Sequence, residues 1–171
     1  EAVRLQANRN NCFLGVTPVG KGFFVAKDTA LAWIQSDQSN RDVIKKFSSG
    51  NNLAQNPSGS PDRMIIDFSS LSIEEAEAYR LPFEHLRTTV KLERSHNRRQ
   101  SYRETWWQYG ERRPAMRSAV AQYDYYFAAP RVSKWAIFLA MQKHWLPGEK
   151  NVVLARDDFY ILGLLTSVIH R

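Results

Sequence analysis

The sequence predicts an α+β fold: a single mixed domain in which short strands form a twisted sheet, helices pack on it and the loops are irregular. Three observations predict it. Apolar runs of strand length are short and scattered, at residues 11–17, 21–26, 64–68, 123–128, 134–139 and 151–155. They are interspersed with helix-start signals at Asp28, Ser72, Pro82, Pro114 and Asp157-Asp158. No internal repeat or heptad array is present, which sets aside solenoids and coiled coils.

Taken in order, residues 11–17 and 21–26 flank Pro18-Val19-Gly20 and read as a hairpin. Asp28 is placed to cap a short helix carrying Ala30, Leu31, Trp33 and Ile34. Residues 48–60, dense in Ser, Gly, Asn and Pro, read as an exposed loop before the strand at 64–68. Ser72-Ile73-Glu74-Glu75 matches a capping box, so a helix is expected from Ile73 to about Arg80. Pro82 sits where a helix tolerates proline, at the start of the next one, expected over 82–97. Pro114 opens a helix over 115–121, and strands follow at 123–128, 134–139 and 151–155. A closing helix over 157–171 carries Tyr160, Leu164, Leu165 and Val168.

Composition bounds the function. At 171 residues, 43% hydrophobic and 12% aromatic, the chain has enough apolar material for one core and is not a disordered tail. Its net charge of +7 favours a polyanionic partner, either nucleic acid or an anionic membrane surface. The longest apolar stretches, around 135–141 and 159–168, fall well short of the roughly 20 residues a spanning helix needs. Cys12 is alone, which fits a reducing compartment. A cytoplasmic setting without membrane contact is therefore expected. The start at Glu1 and the stop at Arg171, directly after an apolar run, lead to the expectation of a piece of a larger protein.

The charge is concentrated. Between His85 and Arg117 lie nine basic residues against Glu93, Glu104 and Glu111, which accounts for six of the seven net charges. Arg87, Lys91, Arg94 and Arg98 are spaced to line one face of the expected helix, while Phe83, Leu86 and Val90 line another. The run continues through Asn97, Arg98, Arg99, Gln100, Tyr102, Arg103, Trp106, Trp107 and Tyr109. Arginine neutralises phosphate and reads guanine edges, and Asn97 and Gln100 suit adenine. On a helix, adjacent residues point about 100° apart, so Trp106 and Trp107 are expected in different environments, with at least one in the core. Arg94, Arg98, Arg99, Tyr102 and Arg103 are thus candidate nucleic-acid-binding residues, and Arg131 and Lys134 form a further basic cluster.

Catalytic patterns fail. Asn56-Pro57-Ser58-Gly59 begins like the tetrad that holds a flipped adenine in amino-methyltransferases. It lacks the second proline and the stacking aromatic, and reads as a turn. Pro61-Asp62 is followed by none of the acidic-x-Lys pairs a nuclease site requires, and no phosphate-cradling glycine loop is present. His85, His96, His144 and His170 lack metal-ligand spacing. Asp157-Asp158 reads as a helix cap. No catalytic, cofactor-binding or metal residue is assigned, and the chain by itself is not expected to be an enzyme.

A set of ordered motifs carries a resemblance. It comprises Pro82-Phe83-Glu84-His85-Leu86-Arg87, Lys91-Leu92-Glu93-Arg94, Asn97-Arg98-Arg99, Tyr102-Arg103, Trp106-Trp107, Gly110-Glu111 and Arg113-Pro114. Pro130-Arg131-Val132-Ser133-Lys134 and Ala155-Arg156-Asp157-Asp158 through Gly163-Leu164-Leu165-Thr166-Ser167 extend it, and Asn56-Pro57-Ser58-Gly59 and Ile65-Ile66-Asp67-Phe68 fit it too. This string resembles the target-recognition domain of MmeI-like (type IIL) restriction–modification DNA methyltransferases. It covers residues 51–171 well and residues 1–50 loosely.

The resemblance implies sequence-specific recognition of duplex DNA as the specificity domain of an adenine-N6 methyltransferase in a restriction–modification or phage-defence system. It implies S-adenosylmethionine in the methyltransferase domain, which would accompany this one in cis, and in some members an endonuclease. It places Arg131, Ser133 and Lys134 at the DNA surface. Arg98, Arg99 and Arg103 are assigned to phosphates, because motifs shared across specificities do common work. Base-reading side chains are sought in residues 123–139 or 48–62. The competing expectation is a non-catalytic protein- or RNA-binding module with a basic face.

Overall fold

A computed structural model describes residues 10–168. The first nine residues of the expected domain, and Ile169, His170 and Arg171 of the expected closing helix, lie outside the described residues. The strands are β1 (Cys12–Leu14), β2 (Phe24–Val25), β3 (Ile44–Ser48), β4 (Arg63–Ile66), β5 (Tyr125–Pro130), β6 (Leu139–Gln142), β7 (Trp145–Pro147) and β8 (Asn151–Leu154). The helices are α1 (Lys27–Ser36), α2 (Gly50–Gln55), α3 (Ile73–Glu77), α4 (Arg80–Thr88), α5 (Val90–Ser95), α6 (Gln100–Glu104), α7 (Pro114–Ala121) and α8 (Phe159–Thr166). The fold is α+β, as expected, and its contacts gather into two compact units. One holds residues 10–15, 48–61 and 113–168, the other residues 16–47 and 62–112.

In the first unit, an antiparallel sheet runs in the order β1-β8-β5-β6. Its inner residues are Tyr126, Phe127, Ala128, Met141 and Val153. The buried Tyr126 hydroxyl donates to the Trp145 carbonyl at 2.8 Å, and burial pushes its pKa far above the usual tyrosine value. Gly15 is required by close approach, since a Cβ there would lie 2.2 Å from the Gly148 carbonyl oxygen. Asp158 caps α8, accepting from Ile161 N–H at 3.0 Å and pairing with Arg156 at 2.8 Å.

Several expectations are corrected. Residues 11–17 and 21–26 do not form a hairpin: β1 pairs with β8, and β2 with β4. The turn between them exists, with φ of 56° at Val19 and 151° at Gly20. Strands of three and two residues are too short to hold each other without a sheet. Residues 48–60 are not one exposed loop. Ser48 is fully buried, its carbonyl accepting from Asn151 Nδ2 at 2.8 Å, and Ser49 and Asn52 cap α2 reciprocally. The same Ser and Asn residues that mark loops also cap helices, which is why composition misread them. The Asn56–Gly59 turn does form, with Gly59 at φ 63°. The strand expected at 134–139 begins only at Leu139, which pairs with Ala128, leaving 131–138 as a loop.

The second unit has β2, β4 and β3 side by side and antiparallel. Phe23, Ile65, Ile66, Phe68, Leu86 and Val90 form its core. Asp28 is not the cap of α1; Ala26 occupies that position, and Asp28 lies in the first turn, where the helix dipole favours a carboxylate. The Ser72 capping box forms, with Ser72 N–H donating to Glu75 at 2.7 Å, although α3 stops at Glu77 rather than Arg80.

The helix expected over 82–97 is two helices broken at Thr89, whose φ and ψ are −111° and −70°. Phe83, Leu86 and Val90 bury as the spacing required. At the break the chain meets the turn around Gly22: His85 Nε2 hydrogen-bonds the Gly22 carbonyl at 3.0 Å, and Thr89 Oγ1 donates to the His85 carbonyl at 2.6 Å. A Cβ on Gly22 would lie 2.4 Å from Thr89 Oγ1 and 2.9 Å from Val90 Cγ2. Gly22→Ala is therefore expected to destabilise the chain by about 1–3 kcal/mol, the usual cost of overpacking. Urea unfolding checks this, and an unchanged midpoint would contradict it.

Candidate nucleic-acid interface

The basic segment of the second unit is organised by an arginine that faces inward. Arg94 on α5 is 2% exposed. Its Nη1 donates to the carbonyls of Trp106 at 3.0 Å and Gln108 at 2.7 Å, and reaches that of Thr105 at 3.4 Å. Nη2 donates to Pro18 at 2.6 Å and Val19 at 2.8 Å, while Nε donates to Val19 at 3.1 Å. The guanidinium lies 5.0 Å from the Phe23 ring centroid and 5.2 Å from that of Tyr102. Burial pulls its pKa below the usual arginine value, opposed by Tyr102 and Glu93, yet a guanidinium stays charged at neutral pH.

This overturns the assignment of Arg94 to DNA. Its donors are spent on backbone carbonyls, so none is left for phosphate. The cationic stripe dissolves with it. Arg87 is held by Glu84 through two bonds at 2.8 and 2.9 Å, and Lys91 lies 5.3 Å from the Trp106 ring centroid. Arg98 follows the end of α5, off the helix. Helical spacing identified residues that share a face, but not that one of them points into the molecule. Trp106 and Trp107 also depart from expectation, because both are buried. They lie in turns rather than a helix, so the angular argument does not apply. Trp107 Nε1 donates to the Leu71 carbonyl at 3.1 Å, and Trp106 packs on Phe83.

Outward from this anchor, Arg98, Arg99 and Arg103 are exposed and Tyr102 is half-buried. Arg99 donates to the Tyr102 hydroxyl at 2.9 Å and lies 5.3 Å from its ring centroid. Arg103 donates to the Asn97 carbonyl, and Asn97 Oδ1 accepts from the Arg99 N–H. Gln100 is held by Glu104 at 2.6 Å. The structure thus brings Arg98, Arg99, Tyr102 and Arg103 together on one short segment around α6.

The other candidates belong to the first unit. Arg131, Ser133 and Lys134 are exposed on the loop between β5 and β6. Arg131 N–H donates to the Lys150 carbonyl at 2.8 Å, and its Nη1 to the Glu149 carbonyl at 3.3 Å. Ser133 Oγ accepts from the Trp135 N–H at 3.2 Å. Near the other end of β5, α8 leaves Phe159, Tyr160 and Leu164 exposed. Sequence reasoning did not single out Trp135; its signal was an aromatic placed directly after Arg131 and Lys134. Among the described residues no group of three or more His, Cys, Asp or Glu side chains is arranged to hold a metal, and no helix is long and apolar enough to cross a membrane.

No family model matches the chain, and none of the curated proteins does. Among solved structures, one described as the Type IIL restriction-modification enzyme MmeI in complex with DNA matches 94% of the chain with a TM-score of 0.69. The fold is similar to part of MmeI. The sequences are 15% identical, so the likeness is one of fold, and the matched region covers 21% of MmeI, about one-fifth of its length.

Arg94→Ala is expected to lower the unfolding free energy by about 3 kcal/mol or more, because several carbonyls lose a charged donor at once. Arg94→Lys should also destabilise, since an ammonium cannot reproduce the planar fork. Arg98→Ala should stay within about 0.5 kcal/mol of the parent, as surface changes do. Urea denaturation of the three variants measures this, and equal stability of Arg94→Ala and the parent would contradict it.

Proposed function

We propose that this chain recognises duplex DNA as the specificity domain of a larger S-adenosylmethionine-dependent adenine-N6 DNA methyltransferase in a restriction–modification or phage-defence system. The observation that carries the reading is the match of 94% of the chain to a fold found in MmeI, a Type IIL restriction-modification enzyme described in complex with DNA. The ordered motifs from Pro82 onward support it independently. So do the exposed cations of the α6 segment and of the β5–β6 loop. Phosphates lie along every duplex, so Arg98, Arg99 and Arg103 supply contacts common to all sequences, and Arg131, Ser133 and Lys134 supply a second set.

Catalysis belongs, on this reading, to a methyltransferase domain in cis. No residue of this chain is assigned to S-adenosylmethionine. The exposed apolar residues of α8 are a surface on which such a domain would rest. A cytoplasmic location is part of the same proposal.

Affinity for duplex DNA, measured against salt, tests the reading. Several phosphate contacts give a steep linear fall of log K with log salt, with a slope of about 0.9 per phosphate. Replacing both Arg98 and Arg99 by Ala should reduce that slope by about two and weaken all sequences alike. Absence of binding at low salt would overturn the proposal, and tighter binding to RNA or to an acidic protein would favour the competing reading.

A further inference from the structure

The chain carries five tryptophans, and among the described residues Trp135 is the one left largely in water, at 67% exposure. Trp106, Trp107 and Trp145 are buried, and Trp33 is half-buried against His85. Trp135 shares its loop with Val132, which is 90% exposed. An indole is the largest apolar side chain, and a fold that buries the others gains nothing by holding this one out.

The surroundings identify a partner. The loop joins two paired strands, with Ala128 opposite Leu139, and its base is tied down by Arg131 on the Lys150 and Glu149 carbonyls. The Ser133 hydroxyl holds the Trp135 N–H in a local turn. Lys134 Nζ lies 5.1 Å from the Trp135 ring centroid. Arg131, Lys134 and Lys150 are all exposed at this end of the sheet, against the half-buried Glu149. Exposed aromatic and aliphatic side chains bracketed by cations on an anchored tip match a ligand whose outer surface is anionic and whose interior is apolar and aromatic. A nucleic acid has that arrangement, with phosphates outside and bases within.

We infer that Trp135 makes the apolar base contact of this chain, entering a groove of duplex DNA while Arg131 and Lys134 hold the flanking phosphates. The inference rests on the DNA-binding reading above and adds to it a residue and a type of contact. Base contact and phosphate contact differ in their dependence on salt, because only the latter releases counterions. The two roles are therefore separable.

The test titrates the 171-residue chain with duplex DNA at several salt concentrations, following anisotropy of labelled DNA and tryptophan emission together. Binding should quench or shift the emission. Trp135→Phe should abolish that change with binding retained. Trp135→Ala should weaken binding by about tenfold, the usual scale for losing an aromatic base contact, with the salt slope unchanged. Lys134→Ala should lower the slope by about one. If DNA binds but the emission does not respond and Trp135→Ala binds as tightly as the parent, the inference is overturned while the DNA reading stands. A reduced slope in Trp135→Ala would also overturn it, assigning the loop to phosphates alone. Failure of the unaltered chain to bind DNA at any salt would overturn both. Trp135 is exposed, so its variants should melt with the parent, and a coincident unfolding curve keeps the comparison fair.

Discussion

The Arg94 guanidinium, enclosed by backbone carbonyls, is the interaction on which the second unit depends. It ties the Pro18-Val19 turn to the 105–108 segment, two stretches far apart in sequence, through one planar group. Neither stretch is helix or strand, and although the Pro18 and Thr105 carbonyls also accept from the Gly110 and Gln108 N–H groups, a buried carbonyl that loses a donor is costly. Arginine suits the task because its five donors are fixed in a fork. The charge is balanced by carbonyl dipoles and by the faces of Phe23 and Tyr102. A buried charge solvated in this way is rigid, since any other arrangement leaves it unpaired.

That rigidity reaches the surface. Tyr102 stacks with Arg94 on the inside and bonds Arg99 on the outside, so the α6 segment is positioned from within. Gly110 contributes, since a Cβ there would lie 2.9 Å from the Tyr102 hydroxyl and 2.6 Å from Val19 Cγ2. The exposed cations Arg98, Arg99 and Arg103 therefore stand on a fixed base, and on the proposed reading ordering them against a polyanion would cost less conformational entropy than it would on a loose loop. In the first unit the β5–β6 loop is served by a different device, a strand pair with backbone and side-chain ties to the turn before β8. The two sets of cations are thus built by unrelated means, one on a buried guanidinium and one on a strand pair.

Much of this was legible in the sequence, and the failures have physical causes. Capping signals at Ser72 and Asp158 placed helices correctly because each satisfies backbone groups within one turn, and Pro114 did so because the first helical position needs no N–H donor, in each case a local matter. Phe83, Leu86 and Val90 were recognisable as core for a similar reason, since helical spacing survives the break at Thr89. Pairing was not legible: β1 finds its partner at the far end of the chain, and nothing local to Cys12–Leu14 encodes β8. The roles of charged and aromatic residues were the least legible. Arg94 and Arg98 look alike in a basic run, and only the carbonyls of a distant turn decide that one is internal. Trp135 and Trp106 differ in the same way, by their neighbours in space rather than in sequence.

On the proposed reading one basic segment divides its work, Arg94 building the fold and Arg98 meeting the polyanion. Stability and DNA-binding salt slope, measured together for Arg94→Lys and Arg98→Ala at a temperature where both remain folded, separate the two roles. Arg94→Lys should lose stability and keep the parent slope, and Arg98→Ala should keep its stability with a slope smaller by about one. An Arg94→Lys variant as stable as the parent but with a reduced slope would place Arg94 on the ligand and overturn this division.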